Sequence, residues 1–195
     1  MSKTKDSLTE FLSQGSRVEL SKHFSKASGV ALLFCGEGKN LSLLFIKRAT
    51  NPRDNWSGQL AFPGGKMEET DASLLDACLR EVREEVGFDL PKGSLIGSLD
   101  DLQARKRGQL IEFYIQPFAF YLPEQPLLIA CPDEVAEIIW VPLEHLRDVA
   151  NRAEYPYEHE GTQYNFPGIR FANGDVLWGL TFMMVTNLLK KLEGF

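Results

Sequence analysis

The stretch from Phe62 to Leu90, FPGGKMEETDASLLDACLREVREEVGFDL, constrains this chain more than any other. At about 100° per residue, set by roughly 3.6 residues per turn, Leu75, Cys78, Leu79, Val82 and Val86 share one arc, and that arc is the face a helix buries. Glu81, Glu84 and Glu85 fall together on the neighbouring arc, because i/i+3 and i/i+4 partners are adjacent. Ala77 lies among them and leaves room, while Arg80, Asp76 and Arg83 point elsewhere. The spacing predicts a helix from Asp71 or Ser73 to Val86, stopped by Gly87. Three carboxylates on one edge of a core-packed helix repel one another and need Arg or Lys partners, or hard divalent cations, to offset them. A bare string of this kind usually reads as a solvated helix laced with Glu–Arg pairs. The Pro63-Gly64-Gly65 turn ahead of it shifts the reading: it lets backbone approach a ligand closely, so a metal-bound phosphate fits between turn and carboxylates.

The rest of the chain sets the class. Its 195 residues suit one good-sized domain, and 44% hydrophobic with 25% charged residues is the mix of a soluble globular protein. Three cysteines, Cys35, Cys78 and Cys131, without metal-type spacing, disfavour a disulfide scaffold or zinc finger and point to a reducing, cytoplasmic setting. Met1 to Gln14 lacks the apolar core of a signal peptide, and no window approaches the roughly 18 apolar residues of a membrane span. A net charge of −6 argues against nucleic acid as a partner.

Ser7 to Gln14 reads as a short helix, and Gly29–Cys35 with Leu41–Lys47 as a hairpin across Gly36-Glu37-Gly38-Lys39-Asn40. Leu60 to Phe62 is a short apolar run. Leu95–Leu99, Leu110–Phe120 and Glu137–Val141 read as strands, Leu143–Val149 as a short helix, and Asp175–Leu192 as a final helix striped by Leu177, Leu180, Met184, Leu188 and Leu192. Strands alternating irregularly with two main helices give an α/β fold, a mixed sheet with helices on its faces.

Arg80-Glu81-Val82-Arg83-Glu84-Glu85-Val86-Gly87-Phe88 resembles, position for position, the second half of the signature of the Nudix hydrolases. The first half departs: strict spacing puts its Gly at Lys66 and its Glu at Ala72, whereas Gly65 and Asp71 stand one residue earlier. That longer spacing with an Asp resembles the coenzyme A diphosphatase-like branch, an impaired site being the alternative. Arg48-Ala49, Arg53, Gly58 and Phe62-Pro63-Gly64-Gly65 are similar to the motif preceding the box in that branch, with one extra residue between Arg53 and Gly58 and with Phe45-Ile46-Lys47 before Arg48. Trp140-Val141-Pro142-Leu143 and Trp178-Gly179-Leu180-Thr181 also look like segments of the family, the second again like that branch. In outline the likeness runs from about residue 29 to 192.

The resemblance implies a Nudix-type α/β/α sandwich, with residues 1–28 an N-terminal helical extension and 29–195 the hydrolase domain. It implies Mg²⁺ or Mn²⁺ held by Glu81, Glu84 and Glu85 with a backbone carbonyl near Gly65. Cations so placed neutralise a pyrophosphate, polarise phosphorus and lower the pKa of a bound water. Arg80 orients the glutamates by pairing within the motif. The same resemblance implies Arg48, Arg53, Gly64 and Gly65 as substrate-binding residues. The general base is either a box glutamate or a loop acid, Glu134 or Glu137, whose bland reading is a solvated strand edge.

Arg105-Lys106-Arg107 reads as a solvated loop, with phosphate contact as the alternative. Trp56 and Tyr155 read as core aromatics or base-stacking residues. His23, His145 and His159 lack metal or triad spacing, and Cys78 reads as packing. The expected activity is hydrolysis of the diphosphate bond of a small nucleotide derivative. Coenzyme A or an acyl-coenzyme A is the leading substrate; nucleoside diphosphate sugars, ADP-ribose, dinucleotides and nucleoside triphosphates are the alternatives. From other classes come a nucleotide-binding regulatory module without catalysis and a plain interaction domain. Nudix proteins often pair, so a homodimer is compatible, with the N-terminal 28 residues available for it.

Overall fold

The computed structural model describes residues 2–51, 56–106, 109–159 and 161–195. The expected hairpin forms as β1 (Ala27–Cys35) and β2 (Ser42–Arg48), but the two strands pair only at Phe34↔Leu43 and Cys35↔Ser42 before splaying apart. β1 then takes β4 (Gly64–Lys66) as an antiparallel partner, and β2 takes β3 (Leu60–Ala61). On its other side β1 runs parallel to the long β7 (Gln109–Leu122), with Ala27↔Tyr114 through Cys35↔Leu122 in register. β5 (Leu95–Ser98) and β6 (Leu102–Lys106) pair antiparallel with β7, and β8 (Val135–Pro142) with β2. The sheet is mixed, as expected, with eight strands.

Two cores lie on its two faces. Val30, Leu32, Phe34, Leu43 and Phe45 pack with Leu8 and Leu12 of α1 (Lys3–Ser13) and with Met184, Val185 and Leu188 of α4 (Gly179–Lys191). The alternate residues Ala31, Leu33, Leu44 and Ile46 pack with Cys78, Val82 and Val86 of α2 (Leu74–Val86). Strands buried on both faces need continuous apolar runs rather than alternation, which is why GVALLFC and LSLLFIK read as they do. This is an α/β/α sandwich. Among the described residues no helix is long and apolar enough to cross a membrane.

The sequence reading needs correction in four places. Pro63-Gly64-Gly65 is not a turn: Gly64 and Gly65 lie in β4, opposite Val30 and Gly29. A Cβ on Gly64, whose φ is +143°, would stand 2.3 Å from the Gly29 carbonyl oxygen, so only glycine permits this approach of strands. The last helix does not begin at Asp175: Val176–Trp178 forms β11, drawn from the helix by pairing with β10 (Thr162–Arg170), and Leu177 is buried from a strand. Arg105 and Lys106 lie in β6, in register with Leu110 and Gln109, rather than in a loop; Arg107 lies outside the described residues. β10 also pairs with β9 (Arg152–His159) in a three-stranded sheet that the sequence reading missed. Pro156 and Pro167 stand within those strands, and proline argues against strand.

α1 starts earlier than expected because Ser2 caps it, its Oγ accepting from the Lys5 amide at 3.5 Å. It belongs to the main core, with Leu8 fully buried. Leu8→Ala is therefore expected to cost about 2–5 kcal/mol, the range for emptying a buried leucine site. A urea melt would measure it, and a midpoint unchanged from wild type would detach the helix from the core.

Candidate active site

Ser73 caps α2 by accepting the Asp76 amide at 3.2 Å, and Gly87, left-handed at φ +66°, ends it with its amide on the Arg83 carbonyl. Leu75 and Leu79, expected on the buried arc, are half-buried against that core. The three glutamates separate in environment. Glu85 is 2% exposed, Glu81 half-buried, and Glu84 exposed. Oε2 of Glu85 accepts the Gly64 amide at 2.8 Å, and its Oε1 stands 4.0 Å from Nη1 of Arg48.

The third carboxylate beside Glu81 and Glu85 is Glu134: oxygens of these three lie within 4.8 Å of one another. Its loop is tied to the C-terminal end of α2, where helix carbonyls lack intrahelical partners. The Cys131 amide donates to the Glu85 carbonyl and the Ile129 amide to the Val86 carbonyl, both at 2.9 Å. The Glu134 amide donates to the Cys131 carbonyl, and the Glu134 carbonyl accepts the Ala49 amide. Glu137, the other loop acid, is placed elsewhere. It sits in β8 opposite Lys47 and accepts from Asn173 Nδ2 at 3.3 Å.

Arg80 does not point away from the glutamates, as the helical wheel suggested, because its long side chain bends back over the helix edge. Its Nη1 donates to Glu81 Oε1 at 3.0 Å and to Glu84 Oε2 at 2.9 Å. Its Nη2 donates to the Lys66 carbonyl at 3.0 Å, and Nε and Nη2 each reach the Asp71 carboxylate at 3.1 Å. The Asp71 carboxylate also accepts the Glu68 amide. Here lies the physical sense of the shifted spacing. Asp71 precedes the helix, and its non-helical connection absorbs the extra residue, so the shorter side chain still grips the guanidinium fork. These hydrogen bonds hold Asp71 below the usual carboxylate range and push Arg80 further up.

Burial, reinforced by Glu81 and Glu134, pushes Glu85 up to about 8 despite the Gly64 amide and Arg48. Burial raises Glu81 as well, against the pull of Arg80. The Gly64 amide, Arg48 and Arg80 offset this cluster only in part, since Glu85 and Glu81 stay raised, and oxygen ligands so clustered suit a hard divalent cation. Gly65 completes the wall: a Cβ there would stand 2.3 Å from the Glu81 carboxylate. Gly65→Ala is thus expected to push the Glu81 side chain out and weaken any divalent-cation binding about 10–100-fold while sparing the fold. Calorimetric Mg²⁺ titration with a parallel thermal melt would read both, and wild-type Mg²⁺ affinity would contradict it.

The remaining candidates scatter. Arg53 lies outside the described residues, and so does the side chain of His159. Tyr155 stacks on Trp178, ring centroids 4.3 Å apart. Trp56 is exposed. His145 bonds the Arg170 carbonyl through Nε2, and His23 rests edge-on to Phe24. Burial raises the Cys78 thiol, which packs on the buried face of α2. Sequence reasoning missed the Lys66 carbonyl and the Cys131 and Ile129 amides, because main-chain partners leave no residue-type signal.

Three clustered carboxylates at a helix edge, faced by glycine backbone, have the chemistry that suits a hard divalent cation. Residues 25–159 match the NUDIX domain, and the chain belongs to the Nudix family. It is similar to the uncharacterized Nudix hydrolase NudL of Yersinia pestis, 26% identical over 78% of this chain and 73% of that one. It is also similar to an uncharacterized protein of Schizosaccharomyces pombe, 37% identical over 53% of this chain but only 32% of that protein. In fold it resembles a Nudix hydrolase from Alicyclobacillus acidocaldarius, with TM-score 0.58 at 14% identity, covering 85% of this chain and 91% of that one. Family and relatives together make this chain a hydrolase.

Proposed function

We propose that this hydrolase is a divalent-metal-dependent pyrophosphohydrolase that cleaves the diphosphate bond of coenzyme A or an acyl-coenzyme A. The observation that carries the reading is the convergence of Glu81, Glu85 and Glu134 opposite Gly64 and Gly65. The motif before the box and the Trp178-Gly179-Leu180-Thr181 segment support the choice of substrate. An unbroken Arg80, Glu81, Glu84 and Glu85 set disfavours a binding module without catalysis.

Glu81 and Glu85, with Glu84 on the same helix edge, would hold Mg²⁺ or Mn²⁺. A bound cation would neutralise the pyrophosphate and lower the pKa of a water. Arg80 fixes Glu81 and Glu84 through its fork, so their carboxylates need no reorganisation when substrate arrives. Arg48, at the rim of the carboxylate set, offers positive charge to the diphosphate. Glu134, the exposed member of the three, accepts a proton from the attacking water through its carboxylate. Glu134→Gln is expected to lower kcat about 10²–10⁴-fold with KM nearly unchanged, and an unaltered kcat would move the base elsewhere.

The test of substrate is a panel of coenzyme A, ADP-ribose, UDP-glucose, diadenosine polyphosphates and dGTP with Mg²⁺, Mn²⁺ or EDTA, compared by kcat/KM. Coenzyme A is expected to lead. Another compound cut with metal while coenzyme A stays intact would overturn the substrate and keep the reaction class.

A further inference from the structure

The pairing of β8 with β2 breaks beside the carboxylates. It runs regularly from Ser42↔Pro142 to Lys47↔Glu137, and then Arg48 pairs with Val135, stepping over Ala136. A bulge of this kind bends its strand and re-aims the side chains beyond it. The core shows the effect. Along β8, Ile139 and Val141 pack on the side of α1 and α4, and Ile138 and Trp140 on the side of α2. Strict alternation would send Val135 to the first side, with Ile139. Val135 is instead buried in the α2-side core, so the extra residue has turned the strand end over. In that turned end the Glu134 carbonyl accepts the Ala49 amide at 2.8 Å, and the Glu134 carboxylate meets Glu81 and Glu85.

The last regular rung, Lys47 with Glu137, is held by a distant turn. Lys47 Nζ donates to both Asp175 oxygens at 2.9 Å. Asn173 Nδ2 donates to Asp175 Oδ2 at 3.0 Å and to Glu137 Oε2 at 3.3 Å. Asn173 and Asp175, in the connection from β10 to β11, thus join the two side chains of one rung. The connection is braced in turn: the Asp175 amide donates to Asn173 Oδ1 at 3.1 Å, and the Phe171 amide to the Asp175 carbonyl at 2.8 Å. A one-residue slip of β8 would carry Glu137 to the other face and away from this bridge, so the bridge selects the bulged register.

We propose that Asn173 and Asp175 are positioning residues for hydrolysis. By pinning the Lys47–Glu137 rung they fix the bulge that sets Glu134 beside Glu85 and keeps Arg48 turned to the same carboxylates. They act through Lys47 and Glu137, not on the substrate. The proposal rests on the pyrophosphohydrolase reading, with Glu134 as its base.

The test uses Asn173→Asp, which keeps the oxygen that accepts the Asp175 amide and replaces the bridging donor by an acceptor. Amide hydrogen exchange at Ala49 reads the rung without turnover; it is expected to quicken about tenfold or more, with Val82 in α2 unchanged. With coenzyme A, kcat is expected to fall about 10–100-fold, the cost of a misplaced catalytic group. Mg²⁺ affinity should stay at the wild-type value, because α2 carries Glu81 and Glu85. In a Glu134→Gln background the same substitution should lower kcat no further, whereas a general loosening of the fold would slow both backgrounds alike. Adding Glu137→Gln to Asn173→Asp supplies the donor from the other partner and should restore Ala49 exchange and most of kcat. Should Asn173→Asp fail to fold, Glu137→Ala frees the same rung and is read in its place. Unchanged exchange at Ala49 overturns the proposal, as does quickened exchange with unchanged kcat, or an equal loss in both backgrounds. A wild type that cleaves no pyrophosphate contradicts the hydrolytic reading instead, and exchange at Ala49 then decides whether the rung is pinned from Asn173.

Discussion

Replacing Glu85 by Gln is expected to stabilise the metal-free protein and to abolish its activity. Burial holds the Glu85 carboxyl at about 8, above its ordinary 4.5. Between those values the folded protein binds a proton that the unfolded chain does not, so stability falls as pH rises from about 4.5 to about 8. Gln cannot ionise and still accepts the Gly64 amide, so the metal-free melting temperature of Glu85→Gln should exceed wild type at pH 8 and match it near pH 4. Each kcal/mol recovered raises the midpoint by about 2–4 °C in a chain of this size. Saturating Mg²⁺ reverses the order, because it stabilises only the protein that binds it. Hydrolysis should fall on the order of 10³-fold, because the cation that Glu85 would help hold is what offsets the charge developing on the diphosphate. Melts at pH 4 to 8 with Mg²⁺ or EDTA check the first part, and a variant less stable than wild type at pH 8 in EDTA would contradict it.

Arg80→Ala is expected to damage fold and site together. It removes donors from Asp71, Glu81, Glu84 and the Lys66 carbonyl at once. The Asp71 side chain, 6% exposed, keeps only the Glu68 amide among these contacts, and Glu81 faces Glu85 without its counter-charge. Removing one partner of a buried pair costs 3–5 kcal/mol; with the Arg80 side chain 18% exposed, about 3 kcal/mol is expected. Activity should fall about 10–100-fold, as when the support of metal ligands is lost. Arg80→Lys should recover little, since an ammonium cannot fork across Asp71 while reaching two glutamates. Urea melts and initial rates on the two variants test this, and a fully active Arg80→Lys would show that charge alone suffices.

Much of this site is legible from residue types because helix periodicity is a strict geometric rule. The buried face of α2, its Ser73 and Gly87 ends, and the nearness of Glu81 to Glu85 follow from 3.6 residues per turn. The wheel fails where side-chain length or distant chain decides. It cannot tell that Arg80 folds back to Asp71, or that Glu84 faces solvent while Glu134 approaches Glu81 from a loop 53 residues along the sequence. The Pro-Gly-Gly segment misleads because glycine serves turns and close strand contact alike, and only the neighbour, Gly29 of β1, distinguishes them. The β9–β10 hairpin hides behind its prolines, and β11 behind a stripe that fits a helix equally well.

The central claim is that Glu85 and a divalent cation together break a diphosphate bond. Its most direct measurement is chromatography of coenzyme A incubated with the wild type in Mg²⁺, with the wild type in EDTA, and with Glu85→Gln in Mg²⁺. One water added across the diphosphate should give 3′,5′-ADP and 4′-phosphopantetheine in equal amounts in the first reaction and neither in the other two. Product formed in EDTA, or by Glu85→Gln at the wild-type rate, would contradict the account.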